Sequence, residues 1–258
     1  EISSKVSGKT LFDEFSRGRY STDASVYQIK PLGVILPKDT NDVLNIMDYS
    51  QKNSIPLLAR GGGSSQCGQT VGESVVLDYS KHQNKILELN VKDKYVWVEP
   101  GVVLDYLNEY LKPYGLWFPV DVSTSSRATI GGMSANNSCG SRSLYYGNMV
   151  HNVLAIEAIL DDGSIFTFDQ IEKNFLERKN NQDRLYKIID KFIDVRQKVT
   201  NDIKDNWPTT QRRVGGYNID LIDPNGFNSS NLLVGSEGTL SLFNKIKLKL
   251  SEIPKNKI

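Results

Sequence analysis

Histidine and cysteine are nearly missing from this sequence, with two of each among 258 residues. Cys67 and Cys139 are too few for a disulfide framework or a thiolate metal cluster. His82 and His151 leave almost no material for a zinc site or a His-based catalytic triad, so no metal is expected. A free cysteine usually behaves as a small hydrophobe; that reading is set here against a redox pair, and each histidine reads as a surface or loop residue. An excess of one charge is missing too. Lys and Arg total 31 against 30 Asp and Glu, a formal +1, without the basic surplus that a nucleic-acid partner requires. No apolar run approaches the roughly 20 residues that cross a bilayer, and residues 1–10 are polar, with no signal-peptide core. A soluble, cytoplasmic protein is expected. The absence of an initiator Met and the polar final residues suggest a piece excised from a longer protein.

What is present is a succession of short periodic segments punctuated by glycine. The length suits one large domain or two subdomains. Residues 29–36 read as an opening strand, interrupted by Pro31 and Gly33 and ended by Pro37. Thr40 is a candidate N-cap for a helix that carries Val43, Leu44, Met47 and Ser50 and ends near Asn53. A strand over 55–59 leads into a glycine loop, and a β-branched run over 74–79 follows it. Segments 86–90 and 95–99 alternate as a hairpin around Lys92-Asp-Lys94. Val103, Leu104, Leu107 and Leu111 form one face of a helix that stops at Pro113 and Gly115. The second half differs. Residues 123–147 are rich in Ser, Thr, Asn and Gly, and so long a loop inside a compact domain is usually functional. Segments 153–160 and 164–168 make a hairpin about Asp161-Asp-Gly163. Residues 182–205 read as a surface helix in one or two pieces, and strands are expected over 231–234 and 240–250. These elements describe an α+β fold in two subdomains, residues 1–116 and 117–258.

Three consecutive glycines after a short apolar strand, in Arg60-Gly-Gly-Gly-Ser-Ser-Gln-Cys-Gly-Gln69, let backbone N–H groups approach a phosphate with no Cβ in the way. A Rossmann fingerprint would run on into a helix, whereas Ser74-Val-Val-Leu-Asp-Tyr79 reads as strand. The loop is therefore an anion cradle of a different kind. It resembles the pyrophosphate loop of the flavoproteins related to vanillyl-alcohol oxidase, whose FAD-binding domain is called the PCMH-type domain. Two further blocks follow in the order of that family. Pro119-Val-Asp-Val-Ser-Thr-Ser125 with Thr129-Ile-Gly-Gly-Met-Ser-Ala-Asn-Asn-Ser-Cys-Gly140 resembles its second FAD-contacting segment, and Gly235-Ser-Glu-Gly-Thr-Leu240 its third. The resemblance covers nearly the whole chain, and three ordered blocks are far more specific than any one glycine string.

The resemblance implies a two-subdomain PCMH-type fold clasping FAD. In the first block it implies contacts at Arg60, Gly61, Gly62, Gly63, Ser64, Ser65, Gly68 and Gln69. In the second they fall at Pro119, Asp121, Ser123, Thr124, Ser125, Thr129, Gly131, Gly132, Ala135, Asn136, Asn137 and Gly140. The backbone of Val153 would meet the adenine, and Glu237, Gly238 and Thr239 complete the third block. Alternatives stand beside several of these. Arg60 reads equally as a phosphate counter-ion or a strand-end arginine; Asn136, Asn137 and Ser138 as flavin contacts or an Asx-type turn; Val153 as plain core. Members with covalent FAD carry a His in the glycine loop, and Gly63, Ser64 and Ser65 stand there, so non-covalent FAD is expected.

Within the family, the blocks together with Arg212-Arg-Val-Gly-Gly-Tyr-Asn218 look most like the D-2-hydroxyacid dehydrogenases, which pass a hydride from the substrate α-carbon to flavin and then electrons to an acceptor that varies. A 2-hydroxy acid substrate is implied, with the electron acceptor left open. In that branch the base lies in a C-terminal substrate domain that this sequence does not contain, so no catalytic residue is assigned; Arg212, Arg213 and Tyr217 could reach the active-site face or be ordinary surface residues. The other readings are a non-catalytic FAD-binding module or subunit, and a different reaction on the same fold, such as sugar or alcohol oxidation or flavin-dependent alkyl transfer.

Overall fold

The computed structural model describes residues 1–173, 175, 183–210 and 212–255. Two sheets organise it. The first contains β1 (Lys9–Leu11), β2 (Gly33–Leu36), β3 (Leu57–Arg60) and β4 (Val75–Asp78), in the order β1-β2-β4-β3. β1 is antiparallel to β2, while β2 and β3 both run parallel to β4. The short helix α1 (Glu14–Arg19) follows β1, with Asp13 as its N-cap. The next helix, α2 (Thr40–Lys52), buries Val43, Ile46 and Met47. They pack against Ile35, Val75, Leu77 and Tyr79 of the sheet layer. Burying each such aliphatic side chain contributes about 1.5–3 kcal/mol. Asp42, on the same helix, is buried and accepts from the backbone N–H groups of Ser7 (2.7 Å), Gly8 (2.8 Å) and Lys38 (2.8 Å). Burial alone would raise its pKa, but these donors outweigh it and hold the carboxyl below the usual range.

The second sheet is antiparallel throughout. It contains β5 (Ile86–Asn90), β6 (Tyr95–Val98), β8 (Val153–Ile159), β9 (Ile165–Phe168) and β12 (Leu242–Lys249), in the order β5-β6-β12-β8-β9. Against it pack α3 (Leu104–Leu111), through Leu104, Leu107 and Leu111, and α4 (Ile130–Ala135), through Ile130 and Met133. α6 (Met149–Asn152) and α7 (Arg184–Lys198) add Met149, Val150, Ile189 and Ile193 to the same core. Between and beyond these lie α5 (Ser143–Tyr146) and α8 (Thr200–Asn206). Two small ribbons complete the fold: β7 (Leu116–Trp117) with β13 (Ser251–Glu252), and β10 (Gln170–Glu172) with β11 (Gly226–Asn228).

The α+β class expected from the sequence is the observed one. The division at residue 116 falls within the span of the second sheet, because β5 and β6 pair into it through β12. Some local expectations change. The strand expected over 29–36 is confined to Gly33–Leu36, because Pro31 offers no N–H to a ladder, and β1 precedes it. Asp39, not Thr40, is the N-cap of α2, its side chain accepting from the N–H of Asp42. Residues 123–147 contain α4 and α5 rather than continuous loop. Residues 231–234 are not a strand: a 3-10 turn spans Ser229–Leu232, capped by the Asn228 side chain. The helix read over 182–205 forms two pieces, α7 and α8, and its first residue, Gln182, lies outside the described residues. Among the described residues no helix is long and apolar enough to cross a membrane.

Candidate functional site

β3 and β4 are parallel neighbours, so the segment between them, residues 61–74, has to cross from the end of one to the start of the other. The crevice beyond the carboxyl ends of parallel strands is a favoured place for a ligand. Here it is closed by the second block. A β-carbon on Gly61 would collide with Thr129 Oγ1, and one on Gly62 with the carbonyl oxygen of Arg127. Gly63 adopts φ +63° and Gly68 φ +81°, left-handed conformations that favour glycine. Among the described residues, the N–H groups of Gly62, Gly63, Ser64, Ser65 and Gln66 make no hydrogen bond to protein. These donors, consecutive in the chain, are left for solvent or a ligand.

The second block is held by the first turn of α4. The Ile130 N–H donates to Val102 O and the Gly131 N–H to Pro100 O, each at 2.8 Å. A β-carbon on Gly131 would lie 2.6 Å from Pro100 Cβ, so glycine is what lets the helix start this close to the turn after β6. The far end of α4 carries the third block: the Gly235 N–H donates to Ser134 O (2.9 Å), and the Glu237 N–H to Ala135 O (3.0 Å). Side chains then close the circle. Gln69 Nε2 donates to Glu237 Oε1 at 3.3 Å, Ser65 Oγ bonds Gln69 Oε1, and Asn136 Nδ2 donates to Ser65 Oγ at 3.5 Å. Segments separated by more than a hundred residues in sequence thus meet around one opening.

Residues of all three blocks line a cavity of about 290 Å³. Its apolar lining comes from Leu57, Leu58, Ala59, Pro100, Ala135, Leu242 and Phe243. Its polar lining comes from Gln69, Thr70, Thr129, Asn136, Glu237, Thr239 and Ser241, with Gly61, Gly131, Gly132 and Gly238 among them. The hydroxyls of Ser241 and of a further lining residue, Tyr79, are buried without a protein partner, a costly state unless a ligand or water supplies one. Burial also pushes the Tyr79 phenol well above its ordinary pKa, so it is a neutral donor. Among the described residues Arg60 is the only cation in the lining, and its guanidinium holds backbone carbonyls. Nη2 donates to Thr22 O (2.8 Å), and Nη1 to Thr70 O (3.1 Å) and Tyr20 O (3.3 Å). A phosphate here would be met by backbone N–H and hydroxyl groups. Free amides in the adjoining loop, glycines where a Cβ would collide, orphan hydroxyls and a largely apolar lining suit a nucleotide carrying phosphate and an aromatic ring system.

The lining contains Arg60, Gly61, Gln69, Thr129, Gly131, Gly132, Ala135, Asn136, Glu237, Gly238 and Thr239 of the residues singled out in the sequence. Gly62, Gly63, Ser64 and Ser65 belong to the adjoining loop. The others lie apart from the cavity and mostly hold the backbone. Gly68 packs against the Tyr27 ring, and a β-carbon on Gly140 would collide with Asp121 O. Asp121 accepts from Ser141 Oγ (2.8 Å) and the Arg142 N–H (3.1 Å). Pro119 is buried, and Ser123, Thr124 and Ser125 form a turn in which Thr124 O accepts from Arg127 N. Asn137 is fully buried; its Oδ1 accepts from the Val150 N–H at 3.0 Å and its Nδ2 faces Asn218 Oδ1 at 3.5 Å. Val153 is buried in β8, its carbonyl accepting from Asn228 Nδ2 at 3.0 Å.

Of the residues left open, Arg213 pairs with Asp220 at 2.6 Å and lies over the Trp207 ring. Arg212 Nη2 reaches Cys139 Sγ at 3.0 Å, and Cys67 and Cys139 are both free thiols. Tyr217 OH lies 2.7 Å from Thr239 Oγ1, which ties its segment to the third block. Sequence reasoning missed most of the apolar lining, Thr70, Tyr79 and Ser241. In the sequence these are ordinary strand-end or, for Thr70, loop residues, and only the pairing of β3 with β4 and the placement of β12 brings them together.

Comparison with known proteins is consistent with this geometry. Residues 31–169 match the family model described as FAD binding domain. D-2-hydroxyglutarate dehydrogenase of Haemophilus influenzae is 37% identical over 247 residues, covering 91% of this chain and 24% of that protein. The enzyme of the same name from Escherichia coli is 34% identical over 258 residues, covering 96% of this chain and 25% of that protein. The glycolate oxidase subunit GlcD of Bacillus subtilis is 35% identical over 165 residues, 62% of this chain and 35% of that one. The chain thus spans about a quarter of the length of the two dehydrogenases. Among solved structures, alkyldihydroxyacetonephosphate synthase superposes with TM-score 0.67 at 18% identity, covering 96% of this chain and 38% of that one. For 6-hydroxy-D-nicotine oxidase from Arthrobacter nicotinovorans the values are 0.64 and 13%, with 97% and 43% covered. At such identities these two establish the shared fold alone.

Proposed function

We propose, given that this chain belongs to the family of FAD binding domains, that its cavity and glycine loop hold FAD non-covalently for the oxidation of a D-2-hydroxy acid. The observation that carries the proposal is the row of unpaired N–H groups from Gly62 to Gln66, in the same loop whose ends, Gly61 and Gln69, line a mostly apolar cavity. They suit the pyrophosphate, and the hydroxyls of Ser64 and Ser65 add donors. The apolar lining suits a flat ring, with Tyr79 and Ser241 offering hydrogen bonds to its polar edge. The residues expected in the second and third blocks act in two groups: Thr129, Gly131, Gly132, Ala135, Asn136, Glu237, Gly238 and Thr239 face the ligand, while Asp121, Asn137 and Gly140 hold the backbone behind them.

Bound FAD supplies the hydride acceptor for oxidation of the substrate α-carbon. The chain's own residues bind and orient it and, through the apolar lining, keep water from part of it. The names of the relatives, D-2-hydroxyglutarate dehydrogenase and glycolate oxidase subunit, support a 2-hydroxy acid as the substrate class. Arg60, Tyr79 and Glu237 are the only titratable lining residues among those described. Arg60 is a cation held on carbonyls, Tyr79 is a buried phenol, and the Glu237 carboxylate accepts from Gln69 Nε2 at 3.3 Å and takes part in closing the loop. We place the base, and the cation that meets the substrate carboxylate, outside this cavity. The subdomains of the proposal meet across it, one contributing β3 and the glycine loop, the other α4 and the start of β12.

The test is titration of the purified chain with FAD, followed by absorption and then by acid precipitation. The expected result is a saturable perturbation of the flavin bands, with all colour released by acid. A folded chain that leaves the flavin spectrum unchanged contradicts FAD binding; colour retained in the pellet contradicts non-covalent attachment.

A further inference from the structure

The glycine loop has an outer layer. Residues 20–27 cross it as a strap, and independent ties hold the two together. Arg60, the last residue of β3, gives Nη2 to Thr22 O (2.8 Å) and Nη1 to Tyr20 O (3.3 Å) on the strap, and Nη1 also to Thr70 O (3.1 Å) at the end of the loop. The guanidinium carbon lies 5.2 Å from the centre of the Tyr20 ring, whose hydroxyl donates to Asp78 Oδ2 at 2.6 Å. The Ala24 N–H donates to Gly63 O at 3.1 Å, and Thr70 Oγ1 to Asp23 Oδ2 at 2.9 Å. The Tyr27 ring fills the space above Gly68.

A half-buried guanidinium with its donors on three carbonyls is a planar fork spanning three chain segments, a task to which a lysine ammonium, a point charge on a flexible stem, is poorly matched. Gly63 lies directly beside it: a β-carbon there would stand 2.6 Å from Arg60 Nη2, and its φ of +63° turns the loop at that point. The strap therefore fixes the conformation in which residues 62–66 present their free N–H groups.

We propose that Arg60 and Asp23 are positioning residues of the nucleotide site, stapling the 20–27 strap to the glycine loop so that the loop amides are preorganised for phosphate, with the Arg60 charge serving the carbonyls and not the ligand. The inference rests on the reading that this cavity binds FAD. It replaces the role of phosphate counter-ion for Arg60, and it assigns a function to a segment outside all three glycine-rich blocks.

The two roles predict opposite results. If Arg60 met the phosphates directly, Arg60→Lys would keep most of the affinity, Arg60→Ala would flatten the salt dependence of binding, and Asp23→Ala, which removes a negative charge near the ligand, would tighten it. In the positioning role, Arg60→Lys loses FAD affinity as Arg60→Ala does, about 10–100-fold, with the salt dependence of the wild type. Asp23→Ala and Thr70→Val, which break the same tie from its two ends, each weaken binding about 3–20-fold. The experiment is equilibrium titration with FAD by flavin fluorescence at several salt concentrations, with thermal unfolding of each variant alongside. Wild-type protein that fails to bind FAD overturns the functional reading itself. Wild-type binding together with a near-normal Arg60→Lys, a flattened salt dependence in Arg60→Ala, or a tighter Asp23→Ala overturns the strap. Should the Arg60 variants not fold, Asp23→Ala, which lies outside the cavity lining, decides alone, and unchanged or tighter binding in it rejects the proposal.

Discussion

The Gly62 α-carbon lies so close to the carbonyl oxygen of Arg127 that a β-carbon on it would fall within bonding-forbidden distance of that oxygen. The contact fixes how near the first glycine-rich block comes to the second. Gly62→Val has to push the loop outward or distort the Arg127 turn, and either change misaligns the free amides. We expect FAD affinity to fall by more than 100-fold, with a stability cost of about 1–3 kcal/mol for the overpacking. Titration with FAD, paired with thermal unfolding of the same variant, separates the two effects.

Tyr79→Phe tests the lining of the cavity. The phenol OH has no protein partner, so its removal leaves the free protein as stable as before, or more stable, because an unsatisfied polar group is lost. If the ligand supplies the missing partner, FAD affinity falls about 3–15-fold, the value of one hydrogen bond. Unfolding curves with and without FAD show both changes, and a variant with unchanged affinity removes Tyr79 from the site.

Asn136 and Asn137 are adjacent in sequence but differ in role. Asn137 is fully buried on the Val150 N–H, so Asn137→Ala destabilises the free protein by about 1–3 kcal/mol through an unpaired donor. Asn136 lines the cavity and reaches Ser65, so Asn136→Ala leaves the free protein within about 0.5 kcal/mol of wild type and weakens FAD. Denaturant unfolding of the two free proteins makes the comparison, and equal destabilisation counts against the division.

Acid should loosen the amino-terminal edge of the first sheet. The Asp42 pKa is depressed in the fold by backbone donors. Its contribution is therefore present above the pKa of the unfolded chain and is lost as pH falls through the folded value, below the ordinary carboxylate range. Asp42→Asn removes that dependence and lowers stability at neutral pH by about 2–4 kcal/mol, the value of its charge-assisted hydrogen bonds. Stability measured against pH for both proteins shows whether the acid limb disappears.

Much of the fold was legible because local pattern and tertiary outcome agree. The helix from Thr40 to Lys52 follows its apolar spacing, and the hairpins at 86–98 and 153–168 follow alternating residues around turn-forming ones. The glycine loop was legible as a loop because positive φ at Gly63 and Gly68 and close approach at Gly61 and Gly62 leave few alternatives to glycine. α4 was not: Gly131 and Gly132 have poor helix propensity, and that turn is held by the carbonyls of Pro100 and Val102, thirty residues away. Residues 231–234 look like a strand, but the Asn228 side chain and the pull of Asn218 Nδ2 on Val234 O (2.7 Å) turn the backbone instead. Most of the apolar lining was hidden for a different reason. Leu57 and Leu242 come together only because β12 inserts between β6 and β8, a long-range pairing that no local pattern encodes.

The central claim is that the N–H groups of Gly62, Gly63, Ser64, Ser65 and Gln66 take the pyrophosphate of FAD. It is tested most directly by following the amide resonances of these five residues during titration with FAD. The account predicts that they shift downfield together, saturating at one equivalent, as free amides acquire phosphate acceptors. Binding that perturbs other resonances and leaves these five unmoved would contradict it.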